Sequence, residues 1–199
     1  MLKDRFRKFL PVIVDLETGG FNSKRNAILE IAIQLIDEDD SKLILGDSYR
    51  YHIKPFEGLE VDKEALEFLR LDLNHPLRLA VEEEHALKES FKIINKQKSK
   101  YECSRAILVG HNAFFDHSFL VESCHRNNIK KSPFHPFSLI DTVSLGVLAT
   151  KQTVLARVCK ELDISYDNDE AHSAAYDAEV TAQVFCKIIN DYDLSLIHI

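Results

Sequence analysis

Four carboxylates and one histidine occupy positions where their types and spacing could build a metal centre. Asp15 and Glu17 lie two residues apart in VIVDLET. In a strand, where successive side chains alternate between faces, both would leave the same face. Ionised carboxylates that close repel, and each raises the other's pKa unless a cation sits between them. Their apolar neighbours Val12, Ile13, Val14 and Leu16 point to a central strand rather than a solvated edge. Asp116 continues a helical apolar stripe of Phe119, Leu120 and Ser123, and Asp177 continues one of Thr181, Val184, Phe185 and Ile188. A buried, unpaired charge is costly, so each aspartate needs a positive partner. A buried Arg or Lys could serve either one alone, but the four carboxylates together exceed what local bases could neutralise. Hard oxygen donors favour Mg2+ or Mn2+ over Zn2+, and no Cys/His zinc set accompanies them.

His172 precedes Asp177 by five residues. At about 100° per residue a regular helix would hold the two about 140° apart, so His172 is expected at or just before the helix start, in YDNDEAHS. A lone exposed histidine is ordinarily a solvated side chain. Beside a metal site it is a candidate general base titrating near neutrality.

These residues need elements to carry them. Apolar runs at 12–16, 28–36 and 48–54 predict three strands, with the acidic stretch DEDDSK at 37–42 as a solvated turn. Helical periodicity covers 62–71 and 76–97, RAILVGHN at 105–112 predicts another strand, and helices are expected over 113–127 and 171–190. The remainder reads as helical in pieces, with PFHPF as a Pro-rich loop. Three strands, helices, a strand and more helices imply an α/β fold with a mixed sheet rather than a doubly wound parallel one.

The 199 residues suit one core, and 45% hydrophobic with 29% charged residues is ordinary globular composition. A single domain over 1–193 is expected. The net charge of -7 argues at face value against a nucleic-acid partner, although carboxylates committed to cations and bases gathered on one face would reverse that. Cys103, Cys124, Cys159 and Cys186 are irregularly spaced and are expected to be reduced core thiols. No apolar stretch is long enough to span a bilayer, and MLKDRFRKFL lacks an apolar leader core and a cleavage site, so a cytoplasmic location is expected. The last residues, LSLIHI at 194–199, read either as an apolar tail or as the translation of a sequencing-adapter end, CTGTCTCTTATACACATC, and are suspected to be non-native.

DLETGG at 15–20, HNAFFD at 111–116 and HSAAYD at 172–177 resemble, in order and spacing, the three exonuclease motifs of the H branch of the DnaQ-like DEDD superfamily. Within it, DRFRKFLPVIVDLETGGFN, RAILVGHNAFFDHSF, KKSPFHPF and AHSAAYD extend the resemblance over nearly the whole chain to the bacterial ribonuclease T family. The resemblance implies a ribonuclease H-like fold. It also implies two Mg2+ per subunit, with Mn2+ possible, held by Asp15, Glu17, Asp116 and Asp177 with Asp15 shared, and His172 as base. Its implied activity is 3'-to-5' trimming of short single-stranded RNA ends beside a duplex, as in tRNA end turnover and maturation of stable RNAs, releasing 5'-mononucleotides, with some activity on single-stranded DNA. The positions matching that family's contacts to the last bases are Phe21, Glu64, Phe68, Phe115 and Phe137.

The family acts as a homodimer, a basic patch of one subunit gripping RNA beside the catalytic centre of the other. Candidates for that patch are Arg5, Arg7, Arg105 and Lys130, with Lys98 and Lys100 in support. Gly19 and Phe114 depart from the family, which often has Ala or Thr, and Asn, at those positions. A DNA-polymerase proofreading subunit or an oligoribonuclease shares the acidic set, but the Phe array, PFHPF and the basic N-terminus favour ribonuclease T. A catalytically silent RNA-binding module would not need the complete quintet.

Overall fold

The computed structural model describes residues 2–197, with side chains through Asp193. The suspected foreign tail therefore has its side chains, and its last two residues entirely, outside the described residues. After a short helix α1 (Leu2–Arg5), the strands β1 (Phe9–Thr18), β2 (Ile28–Asp39) and β3 (Lys42–His52) form an antiparallel meander. Helices α2 (Lys63–Leu69) and α3 (Glu83–Lys100) precede β4 (Arg105–Gly110), α4 (Ala113–Arg126) and β5 (Phe134–Asp141). Helices α5 (Thr142–Thr150), α6 (Leu155–Glu161) and α7 (Ala174–Ile197) follow.

The sheet order is β3-β2-β1-β4-β5, with β4 parallel to β1 and β5 parallel to β4. This is the mixed sheet with flanking helices that the motif order implied. α7 packs on β1, β2 and β3, while α3 and α4 pack on β1, β2, β4 and β5. With helices on it, the centre of the sheet is dry, and residues 28–36 of β2 are buried without alternation. Phe119 of α4 and Phe185 of α7 are the largest fully buried side chains. All four cysteines are buried free thiols.

Three expected elements differ. The stretch 37–42 is not a loop: β2 runs to Asp39 and β3 starts at Lys42, joined by a two-residue turn with Asp40 at φ 45° and Ser41 at φ 62°. Positive φ at both central residues is the hairpin geometry that matches strand twist. Within it Asp37 is far from solvated, since its Oδ1 accepts from Lys100 Nζ (2.6 Å), Tyr101 Oη (2.6 Å) and Gln97 Nε2 (2.8 Å). The helix expected over 76–97 is broken. Pro76–Arg78 is a 3-10 turn, Val81 bridges Ile53, and α3 starts only at Glu83. Buried Arg78 forces the break by donating to the carbonyls of Leu29 (2.8 Å) and Ile53 (2.7 Å), a tertiary anchor invisible to periodicity. Of PFHPF, Pro133 precedes β5 and Phe134–Phe137 begin it; Pro136 falls in an unpaired bulge of this edge strand, where its missing N–H costs no ladder bond.

Candidate active site

Asp15 and Glu17 project from the strand at the centre of the sheet, opposite Ala32 and Glu30 of β2. Glu30 is a buried carboxylate that sequence reasoning passed over. Arg50 Nε lies 3.0 Å and His52 Nδ1 3.1 Å from it, so β3 supplies a counter-charge in Arg50, while burial holds the His52 imidazole below its ordinary pKa. Among the described residues no such base reaches Asp15 or Glu17.

α4 is placed by its first turn. Asp141 accepts from the N–H groups of Asn112 (3.3 Å) and Ala113 (3.0 Å) while also capping α5 through Val143 (2.8 Å). Gly110 lets this turn close on the sheet: a Cβ there would lie 3.2 Å from Ala113 Cα and 3.3 Å from the Val14 carbonyl. Asp116, one turn into α4 and 4% exposed, accepts from the Leu16 N–H at 3.0 Å, which fixes the helix to β1 between the two strand carboxylates. His111 is tied by its two ring nitrogens to Thr142 Oγ1 (3.0 Å) and the Thr153 carbonyl (2.9 Å).

α7 brings the fourth carboxylate. Oxygens of Asp15, Glu17 and Asp177 all come within 4.8 Å of one another. Asp116 is not one of these three; its Oδ1 is turned to Leu16. Asp177 Oδ1 is buried with no hydrogen-bond partner, while Oδ2 accepts from the His172 N–H at 3.1 Å. His172 stands two residues before the helix in the left-handed region (φ 70°), as expected, with its ring centroid 4.2 Å from that of Phe68.

Burial is the main cause that raises the pKa of all four carboxyls. Glu17 is pushed up to about 9, with Asp177, Glu30 and Asp116 adding repulsion, and Asp116 up to about 8 despite its backbone donors. Asp15, half-buried among the other carboxylates, is raised well above the usual carboxylate range. An orphaned oxygen and three converging hard donors with no Arg or Lys paired to them among the described residues fit divalent cations. The raised pKa values set a test. Each carboxyl keeps its proton in the metal-free fold at pH values where the unfolded chain has lost it, so the folded state binds more protons and stability falls as pH rises. This loss begins at the ordinary values of 3.8 and 4.5 and continues to about 8 for Asp116 and about 9 for Glu17. Thermal melts of the metal-free protein should therefore drop from mildly acidic to mildly alkaline pH, and a divalent cation, which favours the ionised forms, should reverse the drop. Melting temperatures independent of both pH and metal would contradict this electrostatic picture.

Beside the carboxylates, Phe21, Phe68, Phe115, Glu64 and Glu17 line one cleft of about 400 Å³. Phe21 is 93% exposed and meets Phe115 edge-on at 6.3 Å, while Phe115 rests on core Phe119 at 4.9 Å. Gly20 sets the loop that carries Phe21. Its φ is 152°, and a Cβ there would collide with Asp62 and Asn26. At Gly19 a Cβ would stand 3.0 Å from Val61 Cα, so an Ala or Thr there would need residues 60–61 to give way slightly. Phe114 is an exposed ring in the first turn of α4. Phe137 stands outside the cleft, 80% exposed.

The basic residues divide. Lys98, Arg105 and Lys130 line one groove of about 770 Å³. Lys131, His117, His125 and His135 join them there, none of which the sequence singled out. Arg7 is near this groove through Phe9, whose ring lies 5.9 Å from its guanidinium and 5.3 Å from the His135 ring. Arg5 is engaged elsewhere, by Asp193 and the Ser41 carbonyl, and Lys100 by Asp37.

A family model described as Exonuclease matches residues 12–185. The chain is 51% identical over 193 residues to ribonuclease T of Photobacterium profundum, spanning 96% of this chain and 86% of that relative. It is 48% identical to ribonuclease T of Vibrio cholerae over the same shares of both chains. In fold it is similar to the nuclease domain of 3'hExo, a DEDDh family member solved bound to rAMP, with TM-score 0.71 and 19% identity over 91% of this chain and 92% of that one. It is also similar to E. coli Exonuclease I in complex with a dT13 oligonucleotide, with TM-score 0.71 and 16% identity over 96% of this chain and 43% of that one.

Proposed function

Because the chain belongs to the ribonuclease T family of exonucleases, we propose that it removes nucleotides from the 3' end of RNA, trimming short single-stranded ends that adjoin a duplex and releasing 5'-mononucleotides. The observation that carries this reading is the meeting of Asp15, Glu17 and Asp177 beside the Phe-lined cleft. Asp15, Glu17, Asp177 and, behind them, Asp116 would hold the cations, two Mg2+ in this reading with Mn2+ as a substitute. Divalent cations bound there would supply the positive charge that makes a water acidic and offsets charge on the scissile phosphate.

The chain's own groups do the rest. His172 accepts the proton of the attacking water, and its main-chain N–H orients Asp177. Phe21, Phe68 and Phe115, with Glu64, enclose the last base, and Phe137 adds an outer aromatic face. Stacking of this kind is sequence-tolerant and contributes about 1–3 kcal/mol per base, enough to hold a 3' end without strict base recognition. In this reading the protein's work is tRNA end turnover and maturation of stable RNAs in the cytoplasm. An RNA hairpin with a short, labelled single-stranded 3' end tests the core of the proposal. Stepwise release of 5'-mononucleotides in Mg2+ and none in chelator is expected, and an intact 3' end under both conditions would refute it.

The groove of Lys98, Arg105, Lys130 and Lys131 gives the acidic chain its local surface for the duplex backbone, in a homodimer where it serves the partner subunit's active site. Arg105→Ala with Lys130→Ala should weaken binding of the hairpin and reduce the slope of log K against log salt by about 1 for each phosphate no longer neutralised. Arg5→Ala, whose guanidinium is held by Asp193 and Ser41, should leave that slope unchanged. An unaltered slope in the double variant would remove the groove from the RNA path.

A further inference from the structure

The edge strand β5 carries a wide bulge at the aromatic residue that stands apart from the cleft. Ala106 pairs with Phe134 and Leu108 with Leu139, so the single residue Ile107 of β4 faces four residues of β5, His135 to Ser138. Extra residues in a strand lose their ladder bonds, and their N–H groups must be satisfied elsewhere. One side chain does this. His135 Nδ1 accepts from the Ser138 N–H at 2.9 Å and faces the Phe137 N–H at 3.4 Å. It thereby makes the kind of turn that an Asn or Asp side chain makes with N–H groups a few residues on.

The same imidazole braces the ring that the bulge presents. Its centroid lies 4.5 Å from that of Phe137 with the planes at 88°, an edge-to-face contact. Behind it, Phe9 of β1 lies at 5.3 Å, and His117 of α4 hydrogen-bonds to the His135 backbone. Phe137, at 80% exposure, has little other packing to set its rotamer.

We propose that His135 is the positioning residue of the Phe137 platform, closing the bulge through Nδ1 and holding the aromatic ring at the angle from which it meets the RNA 3' end. The proposal rests on the reading of Phe137 as a contact to the RNA. His135 does not touch the reacting atoms, so its effect lies in substrate binding and terminal-base preference rather than in the chemical step. Its contribution at the 3' end passes through Phe137.

The test is steady-state cleavage of the hairpin RNA in Mg2+ by His135→Leu, His135→Asn, Phe137→Ala and the His135→Leu/Phe137→Ala double variant. Leucine fills the space but accepts no hydrogen bond, and should raise KM about five- to tenfold, part of what one stacked base contributes, with kcat within about twofold. Asparagine's side-chain oxygen can accept from the same N–H groups and should keep KM within about threefold of the parent. If His135 acts through Phe137, His135→Leu adds no further loss once Phe137 is alanine. A full, additive loss in the double variant, or an Asn variant as impaired as Leu, would overturn the positioning role while leaving Phe137 as a base contact. A Phe137→Ala variant with the parent KM would instead remove the base-contact reading, and the proposal with it. Should His135→Leu fail to fold, His135→Ala, which likewise accepts no hydrogen bond, gives the same comparison in both backgrounds.

Discussion

Asp15→Asn is expected to abolish metal-dependent cleavage while making the metal-free protein more stable. Asp15 lies in the central strand with Asp116, Glu17 and Asp177 all adding repulsion to the cost of burial. In the absence of cations its carboxylate is a liability that an uncharged amide of the same shape removes. With cations bound it is a principal source of the charge that holds them, and its loss should lower turnover by about 10^3-fold or more, several kcal/mol of transition-state stabilisation. Two melting curves and one rate separate these effects. The variant's metal-free melting temperature should exceed the parent's at mildly alkaline pH, where the burden of ionisation is largest, and approach it at mildly acidic pH. Mg2+ should raise the parent's melting temperature by mass action and leave the variant's nearly unchanged. A parental cleavage rate in Mg2+ would sink the assignment of this site.

The second large effect is kinetic. Replacing His172 should reduce kcat by about 10^2- to 10^4-fold, the usual contribution of a general base, while RNA binding is retained. The choice of substitution matters because His172 sits at φ 70°. Alanine is strained there, whereas asparagine occupies the left-handed region readily, so His172→Asn keeps the turn and removes only the imidazole. The N–H that orients Asp177 belongs to the main chain and survives either change. A His172→Asn enzyme that turns over at the parent rate would exclude the imidazole from proton transfer. Loss of RNA binding together with rate would point instead to the Phe68 contact, 4.2 Å between ring centroids, as the residue's main contribution.

Much of the scaffold was legible because its causes are local. β1, β2, β4, α4 and α7 lie close to where the sequence alone puts them, since each buries a continuous or periodic apolar run that only one kind of element can satisfy. The two-residue spacing of Asp15 and Glu17 dictated a shared face, and the five-residue spacing of His172 and Asp177 dictated that the histidine leave the helix; both hold. The errors lie where a long-range contact outweighs local preference. DEDDSK has loop composition, yet pairing with β3 carries β2 through to Asp39, and Asp37 finds its donors on and just after α3, some sixty residues on. PFHPF has loop chemistry, and the chain there does leave the ladder as a bulge, yet pairing with β4 makes Phe134 and Leu139 to Asp141 an edge strand on either side of it.

The site divides in the same way. Sequence by itself determined which residue types were available: four carboxylates too many for local bases, a histidine free of its helix, and a set of phenylalanines to go with them. Only the tertiary structure decided which of these act together. It gave Glu30 a counter-charge from Arg50 of β3 and, among the described residues, paired no Arg or Lys with Asp15, Glu17 and Asp177. It turned Asp116 to the Leu16 N–H, paired Arg5 with Asp193 and Lys100 with Asp37, and placed Lys131 and three histidines in the groove with Lys98, Arg105 and Lys130. The physical reason is that a charge's meaning depends on what lies within a few ångströms, and those neighbours come from segments far apart in the chain. Asp116 and the Leu16 N–H it accepts are 100 residues apart in sequence.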